Sequence, residues 1–185
     1  MAKYHIFTDG SSRGNPGLGG WATVIMNAEE TEILFTESDA EDYVTNNRME
    51  LKAMLCALQY AEDNPRDQFI IYSDSAYVVN SCNSWISNWA TNGWRNSKKV
   101  IVENVDLMQA LWSHLKRDFP NFDIRKCKGH DGEVGNEIAD AIATKNWKKL
   151  GELIECWDIT DRQHDIQEMN TDEYLAAGEN WFPID

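Results

Sequence analysis

Two aspartates that each follow a short apolar segment are the first candidates for chemistry. Asp9 follows residues 6–8, Asp74 follows residues 70–73, and small residues come directly after both. Ligands of open α/β sheets bind at the carboxyl ends of strands, so two parallel neighbouring strands would bring both carboxylates to one edge. On these two segments alone, a structural turn and a metal-binding edge both remain open.

A third carboxylate, Glu50, favours the metal-binding interpretation. It precedes Met54 by four residues and Ala57 by seven, so a helix here would direct it towards its apolar face. An unpaired carboxylate in that position is strongly destabilising or becomes protonated, and a bound cation would remove the cost. The three acids together therefore indicate a cation site.

Two further residues, Asp140 and His130, are ambiguous by themselves. Asp140 lies beside Glu137 on a predicted helix, where a solvated polar face explains it better than a ligand role. His130 lies in a loop with glycines on either side, which argues against a core histidine. A surface histidine and a functional one both remain open.

Length and composition indicate one globular domain outside the membrane. The chain has 185 residues, of which 42% are hydrophobic and 26% charged. Its apolar runs fall short of the roughly 18 residues that span a bilayer, and the first residues lack a signal-peptide pattern. The four cysteines are far apart and form no Cys-x-x-Cys pair, which predicts reduced thiols rather than a zinc site. We expect a cytoplasmic protein.

The acidic charge is concentrated at one end of the chain. The formal charge is −14, and residues 151–185, with ten acids and one arginine, account for −9 of it. Residues 1–150 then carry only −5, so the acidic balance does not exclude a nucleic-acid partner. The shift in composition near Gly151 predicts a catalytic domain over residues 1–150 and an acidic C-terminal extension over residues 151–185.

The order of the predicted elements indicates an α/β fold. Short β-branched and aromatic segments predict strands, and apolar residues at helical spacing predict helices. The predicted strands cover residues 4–8, 21–26, 31–36, 68–73 and 123–127, and the predicted helices cover 47–60, 76–89, 104–117 and 136–150. The first helix begins with Asn47-x-x-Glu50, which imitates a capping box. This order implies a mixed sheet with helices packed on its faces.

Four motifs of this sequence, in this order, resemble those of the ribonuclease H family in its bacterial type. They are Thr8-Asp9-Gly10-Ser11, Asn46-Asn47-Arg48-Met49-Glu50-Leu51, Tyr72-Ser73-Asp74-Ser75, and Lys128-Gly129-His130 with Asn136-Glu137 and Asp140. The resemblance covers about residues 3–149. It implies a ribonuclease H-like α/β fold, a five-stranded mixed sheet with helices on both faces, and endonucleolytic hydrolysis of the RNA strand of RNA/DNA hybrids.

By motif position, the resemblance assigns the catalytic residues. Asp9, Glu50, Asp74 and Asp140 would bind metal, and His130 would act either in proton transfer or in product release. Ligands that are all oxygens suit two Mg²⁺ ions, with Mn²⁺ as a substitute. Two such ions about 3.5–4 Å apart activate the attacking water and stabilise the leaving oxygen.

The resemblance also assigns a substrate surface. Trp85 and Trp89 fall where the family has groove tryptophans, although a tryptophan pair at helical spacing is more often part of a core. The complete set of substrate-binding candidates is Gly10, Ser11, Ser12, Asn15, Thr45, Asn46, Asn47, Trp85, Trp89 and Asn104. The sequence departs from the family at Ala76, where Gln is common, and at Tyr43, where an Arg can occur. With only three bases in residues 90–99, we expect salt-sensitive hybrid binding.

Two other classes of function compete with this interpretation. A non-catalytic hybrid-binding module of the same fold would have lost at least one carboxylate, and all four are present. A related two-metal DNA nuclease fits the second and fourth motifs less well. We expect a monomer, and the aromatic residues within the acidic extension suggest that it docks either on its own domain or on a protein partner.

Overall fold

The structure, a computed structural model, describes residues 1–129 and 133–161, with side chains through Glu155. Its strands are β1 (Lys3–Gly14), β2 (Gly17–Asn27), β3 (Ile33–Val44), β4 (Gln68–Ser73) and β5 (Phe122–Lys126). Its helices are α1 (Asn46–Asp63), α2 (Ala76–Asn80), α3 (Ile86–Thr91), α4 (Val105–Leu115), α5 (Val134–Ala143) and α6 (Trp147–Asp161). A π-helical turn, Ser81–Trp85, joins α2 to α3.

The strands form one five-stranded mixed sheet in the order β3-β2-β1-β4-β5. The first three strands pair antiparallel, whereas β4 runs parallel to both β1 and β5. The central strand β1 thus has an antiparallel neighbour on one side and a parallel neighbour on the other. The predicted fold class is confirmed, including the parallel pairing that brings the ends of β1 and β4 together.

Helices cover both faces of the sheet. On one face, α1, α2 and α4 pack against side chains such as Ile6 and Ile71 to form the larger core. On the other face, α5 and α6 pack against Phe7, Val24 and Met26. Successive residues Ile6 and Phe7 therefore serve opposite cores, as the alternation of a β-strand requires. Among the described residues, none of the helices combines the length and the apolar character needed to cross a bilayer.

The first helix begins differently from the predicted capping box. Its N-cap is Thr45, whose side chain accepts a hydrogen bond from the Arg48 backbone N–H at 3.3 Å. The Asn47-x-x-Glu50 spacing only imitates a capping box, because the helix is capped by Thr45 and Glu50 lies within it, facing the buried site. Its carboxylate is thereby available for chemistry rather than for capping.

Two predicted helices are interrupted. The predicted helix over residues 76–89 contains the π-helical turn, and the predicted helix over residues 136–150 ends at Ala143 and resumes at Trp147. The second break coincides with Lys145, which adopts a left-handed φ of 55° and reverses the chain. Strand β3 extends to Val44, well beyond the predicted residue 36, because its polar residues pair with β2 at an open edge of the sheet. The α6 helix runs continuously through the predicted domain boundary near Gly151.

Candidate active site

Three carboxylates converge at the carboxyl end of β4. Thr8 pairs with Ser73 in the parallel register, so Asp9 and Asp74 lie side by side at one edge of the sheet. Helix α1 brings Glu50 to the same place, and one carboxylate oxygen from each of the three residues lies within 4.8 Å of the other two. The three carboxylates that the sequence predicts at one edge of the sheet therefore do lie together.

Glycine permits the close approach of the elements around this cluster. A Cβ atom on Gly10 would lie 2.1 Å from the Glu50 backbone nitrogen, and a Cβ on Gly129 would lie 2.6 Å from an Asp74 carboxylate oxygen. No ordinary side chain fits at such distances, so β1 could not lie against α1 with a larger residue at position 10. The glycine after Asp9 thus sets the distance between two of the acids.

Burial and mutual repulsion disfavour the charged forms of these acids. Burial, followed by the charges of Asp74 and Asp140, raises the pKa of Asp9 to about 8. Burial, followed by Asp9 and Asp74, raises the pKa of Glu50 well above its usual value. The Glu50 Oε2 atom is buried and has no hydrogen-bond partner among the described residues. A divalent cation would supply the missing partner and the missing positive charge.

The fourth predicted carboxylate, Asp140, lies on α5 beside this cluster and is paired with a lysine side chain. Lys149 Nζ donates to Asp140 Oδ2 at 2.6 Å, and the same ammonium lies 2.6 Å from Glu137 Oε2. Burial lowers the pKa of Lys149, but the bonds to Asp140 and Glu137 outweigh this and raise it overall. Sequence reasoning missed Lys149, because the chain reversal that brings it back to α5 has no clear sequence signal.

The comparisons with known proteins agree with this geometry. A family model described as RNase H matches residues 1–148. The chain belongs to the ribonuclease H family. It is 43% identical over 145 residues to "Ribonuclease H" from Herminiimonas arsenicoxydans, an alignment that covers 78% of this chain and 94% of that protein. The chain is accordingly a ribonuclease H enzyme, a nuclease of the hydrolase class.

Two solved structures extend the comparison to the fold. The solution structure of the PFV RNase H domain is similar with a TM-score of 0.68 and 25% identity, covering 78% of this chain and 94% of that one. The foamy viral protease-reverse transcriptase in complex with RNA/DNA hybrid is similar with a TM-score of 0.67 and 25% identity. That match covers 78% of this chain and 20% of that one.

The predicted substrate residues after Asp9 lie on the extended end of β1 and the turn that follows it. Ser11 pairs with Gly20 of β2, and the Ser12 hydroxyl donates to the Gly14 carbonyl at 2.6 Å. Asn15 precedes a cis peptide bond to Pro16. These residues therefore follow Asp9 directly along the chain of this ribonuclease H, on β1 and the turn that ends it.

An arginine links the start of α1 to the start of α4, where the predicted polar substrate residues lie. Thr45, Asn46 and Asn47 form the start of α1, and Asn104, with a left-handed φ of 51°, immediately precedes α4. Arg48 donates to both carboxylate oxygens of Asp106, at 3.1 and 2.7 Å, and to Asn104 Oδ1 at 3.5 Å. Arg48 was part of a recognised motif, but its role in linking the two helix starts was not predicted.

The tryptophan pair joins a core residue to a surface residue. The rings of Trp85 and Trp89 lie 5.8 Å apart, which confirms that they share a face. Trp89 packs against the larger core, whereas Trp85 is 37% exposed and stacks edge-on with Tyr77. The core interpretation therefore applies to Trp89, whereas the groove role of Trp85 stays a prediction. His130 lies outside the described residues.

Proposed function

We propose that this ribonuclease H hydrolyses the RNA strand of RNA/DNA hybrids with divalent metal ions held by its carboxylates. The observation that carries the proposal is the convergence of Asp9, Glu50 and Asp74, with the buried Glu50 Oε2 unpartnered among the described residues. A similar protein, the foamy viral protease-reverse transcriptase, has been solved with an RNA/DNA hybrid bound, which supports this class of substrate.

The donor set fits Mg²⁺, with Mn²⁺ as a substitute. Hard cations of this kind prefer carboxylate oxygens, and the cluster offers no cysteine or histidine among its described members. Asp9, Glu50, Asp74 and Asp140 would hold two ions. When bound, these ions supply an activated water and charge stabilisation at the phosphate in an in-line displacement.

The residues of the chain itself perform binding and orientation. The buried carboxylates of Asp9 and Glu50 are fixed by β1 and α1, so their ligand oxygens need little reorganisation when a cation arrives. The backbone at Gly10 lies against the backbone of Glu50. Ser11 and Ser12, which follow Gly10 on β1, are proposed to contact a ribose of the RNA strand. We assign His130 to proton transfer or product release.

The DNA strand is proposed to lie across the starts of α1 and α4 and the neighbouring Trp85. Thr45, Asn46, Asn47 and Asn104 would contact its backbone, and the exposed ring of Trp85 would offer a stacking surface. The short bridge between Arg95 and Ile101 holds the segment after α3, where the Arg95 guanidinium donates to the Lys99 carbonyl at 2.7 Å.

Cleavage of matched duplexes tests the substrate class. Labelled RNA/DNA hybrid, RNA/RNA and DNA/DNA of one sequence are incubated with the full chain and Mg²⁺, Mn²⁺ or a chelator. The proposal expects metal-dependent cutting of the RNA in the hybrid alone. Cutting of DNA/DNA would favour the DNA nuclease, and hybrid binding without any cutting would favour the non-catalytic binding module.

The remaining proposals concern the whole chain. Residues 1–150 are proposed as the catalytic domain, and residues 151–185 as an acidic extension that docks on this domain or on a partner protein. We propose a monomer in the cytoplasm; three of its cysteines, Cys56, Cys82 and Cys127, are free thiols. Removing residues 162–185 and measuring melting temperature, hybrid affinity and partner binding tests the part of the extension beyond α6, because unchanged values for all three would contradict docking by that part.

A further inference from the structure

The ammonium group of Lys149 forms an ion pair with Asp140, the candidate active-site carboxylate on α5. It lies 2.6 Å from one oxygen of Asp140 and 2.6 Å from one oxygen of Glu137, and the lysine side chain is 27% exposed. Asp140 is absent from the tight cluster of Asp9, Glu50 and Asp74 among the described residues. The carboxylate that has a lysine partner is thus the one that stays apart from the other three.

The chain is built so that Lys149 returns to α5. After α5 ends, the left-handed Lys145 reverses the backbone, and Asn146 precedes and caps the next helix. The Asn146 side chain accepts from the Lys149 backbone N–H at 3.1 Å, and its carbonyl accepts from the Leu150 N–H at 3.0 Å. This cap places Lys149 in the first turn of α6, with its ammonium against Asp140.

Helix electrostatics do not explain a lysine at this position. The start of a helix carries partial positive charge and favours acids over bases. Two carboxylates at 2.6 Å compensate, and the charge of Lys149 also acts on the pKa of Asp9, which it lowers. Lys149 therefore belongs electrostatically to the carboxylate site, although it lies one residue beyond the part of the chain that the family model matches.

We propose that Lys149 is a positioning residue that competes with divalent cations for Asp140. The inference rests on the proposed role of Asp140 as a metal ligand. In the metal-free protein the ammonium neutralises Asp140 and holds its Oδ2 atom. A cation that takes Asp140 must displace this ammonium and meets its repulsion. Lys149 thereby weakens metal binding and keeps the metal-free site from accumulating uncompensated negative charge.

Calorimetric titration of MgCl2 into the full chain, without nucleic acid, tests the proposal. Four proteins are compared: wild type, Lys149→Gln, Lys149→Arg and Lys148→Gln. The last is a matched control, since Lys148 is the neighbouring lysine on α6, its ammonium lies 3.8 Å from Glu152, and its side chain is 89% exposed. Lys149→Gln should bind Mg²⁺ about threefold or more tightly than wild type, because one positive charge has left the site.

The two controls should behave like the wild type. Lys149→Arg keeps the charge beside Asp140, and Lys148→Gln removes an equal charge from the same helix at a distance from it. In chelator, Lys149→Gln should also melt at a lower temperature than Lys148→Gln, because Asp140 and Glu137 lose their shared cation. Unchanged or weaker Mg²⁺ binding by Lys149→Gln would overturn the proposal.

A double variant separates action through Asp140 from a general field effect. In an Asp140→Asn background, Lys149→Gln should leave Mg²⁺ affinity nearly unchanged, because the carboxylate for which Lys149 and Mg²⁺ compete is absent. An equal gain in both backgrounds would show that Lys149 does not act through Asp140. If the wild type bound Mg²⁺ and Lys149→Gln showed no gain, this inference alone would fail. If the wild type itself bound no Mg²⁺, the proposed metal site would fail as well.

Discussion

Glu50 is the residue whose burial most directly opposes the charge that a metal ligand needs. It is 5% exposed, lies beside two other acids, and has one oxygen without a partner among the described residues. Folding this group costs free energy that only protonation or a cation can remove. The site therefore trades the stability of the metal-free protein for affinity towards a cation.

Glu50→Gln should stabilise the metal-free protein. The pKa of Glu50 lies well above its usual value of 4.5, so the folded state retains a proton that the unfolded chain has released. Stability is consequently lost as pH rises above that usual value, and a neutral amide escapes the loss. At pH 8 in chelator, we expect a melting temperature about 3 °C or more above that of wild type.

The control for this prediction is Glu29→Gln, which removes an equal charge from an exposed position. Mg²⁺ should raise the melting temperature of the wild type and of Glu29→Gln, and raise that of Glu50→Gln much less. A Glu50→Gln protein that melts lower than the wild type in chelator would show that the carboxylate is satisfied without a cation.

At the scale of elements, the site depends on how closely β1 approaches α1. The sequence predicted both elements and the burial of Glu50, because helical spacing relates it to Met54 and Ala57. It did not predict the backbone contact at Gly10, since a glycine after a strand is equally typical of a turn. The closeness of two backbones is a tertiary property that periodicity does not encode.

Gly10→Ala should therefore damage both stability and activity. Its Cβ would lie 2.1 Å from the Glu50 nitrogen, so β1 and α1 must separate, at a cost of about 1–3 kcal/mol or more. Displacement of Glu50 should also lower the rate of hybrid cleavage by about tenfold or more. Gly151→Ala is the matched control, because it lies in α6 with nothing within 4 Å of its Cβ and should stabilise the helix slightly.

The two tryptophans after α2 should separate binding from stability. Trp85→Ala should raise the KM for hybrid by about tenfold while kcat and melting temperature change little, because an exposed stacking surface is removed. Trp89→Ala should lower the melting temperature instead, because its ring packs against the larger core. Steady-state kinetics and thermal melting check both, and a KM that is unchanged in Trp85→Ala would place the substrate elsewhere.

At the scale of the whole molecule, the sequence predicted the sheet but not the continuous helix that crosses the predicted boundary near Gly151. The change in charge near Gly151 is real, yet α6 continues through it, and Leu153 and Ile154 pack against the second core. The acidic residues of α6 change the charge of the chain, but the apolar residues of the same helix still pack against the core. The role of Lys149 was not predicted either, because its partners lie across a chain reversal rather than at helical spacing.

Shortening the chain at two positions measures what α6 contributes. A chain that ends after Leu150 should melt about 5 °C or more below one that ends after Asp161, because it lacks the contacts of Leu153 and Ile154. Comparing these two chains removes any effect of residues 162–185 from the difference. Equal melting temperatures would mean that α6 beyond Leu150 adds nothing to the core.

Cleavage of the hybrid is proposed to depend on metal held by Asp9, Glu50 and Asp74. We would measure RNA cleavage in a labelled hybrid by wild type, Asp74→Asn and Asp123→Asn, with Mg²⁺ and with chelator. Asp123 is an acid of β5 paired with Arg125, outside the cluster, and serves as the matched control. We expect cleavage by wild type and Asp123→Asn to require Mg²⁺, and cleavage by Asp74→Asn to be at least about 100-fold slower. Cleavage by the wild type in chelator, or a wild-type rate in Asp74→Asn, would contradict the proposal.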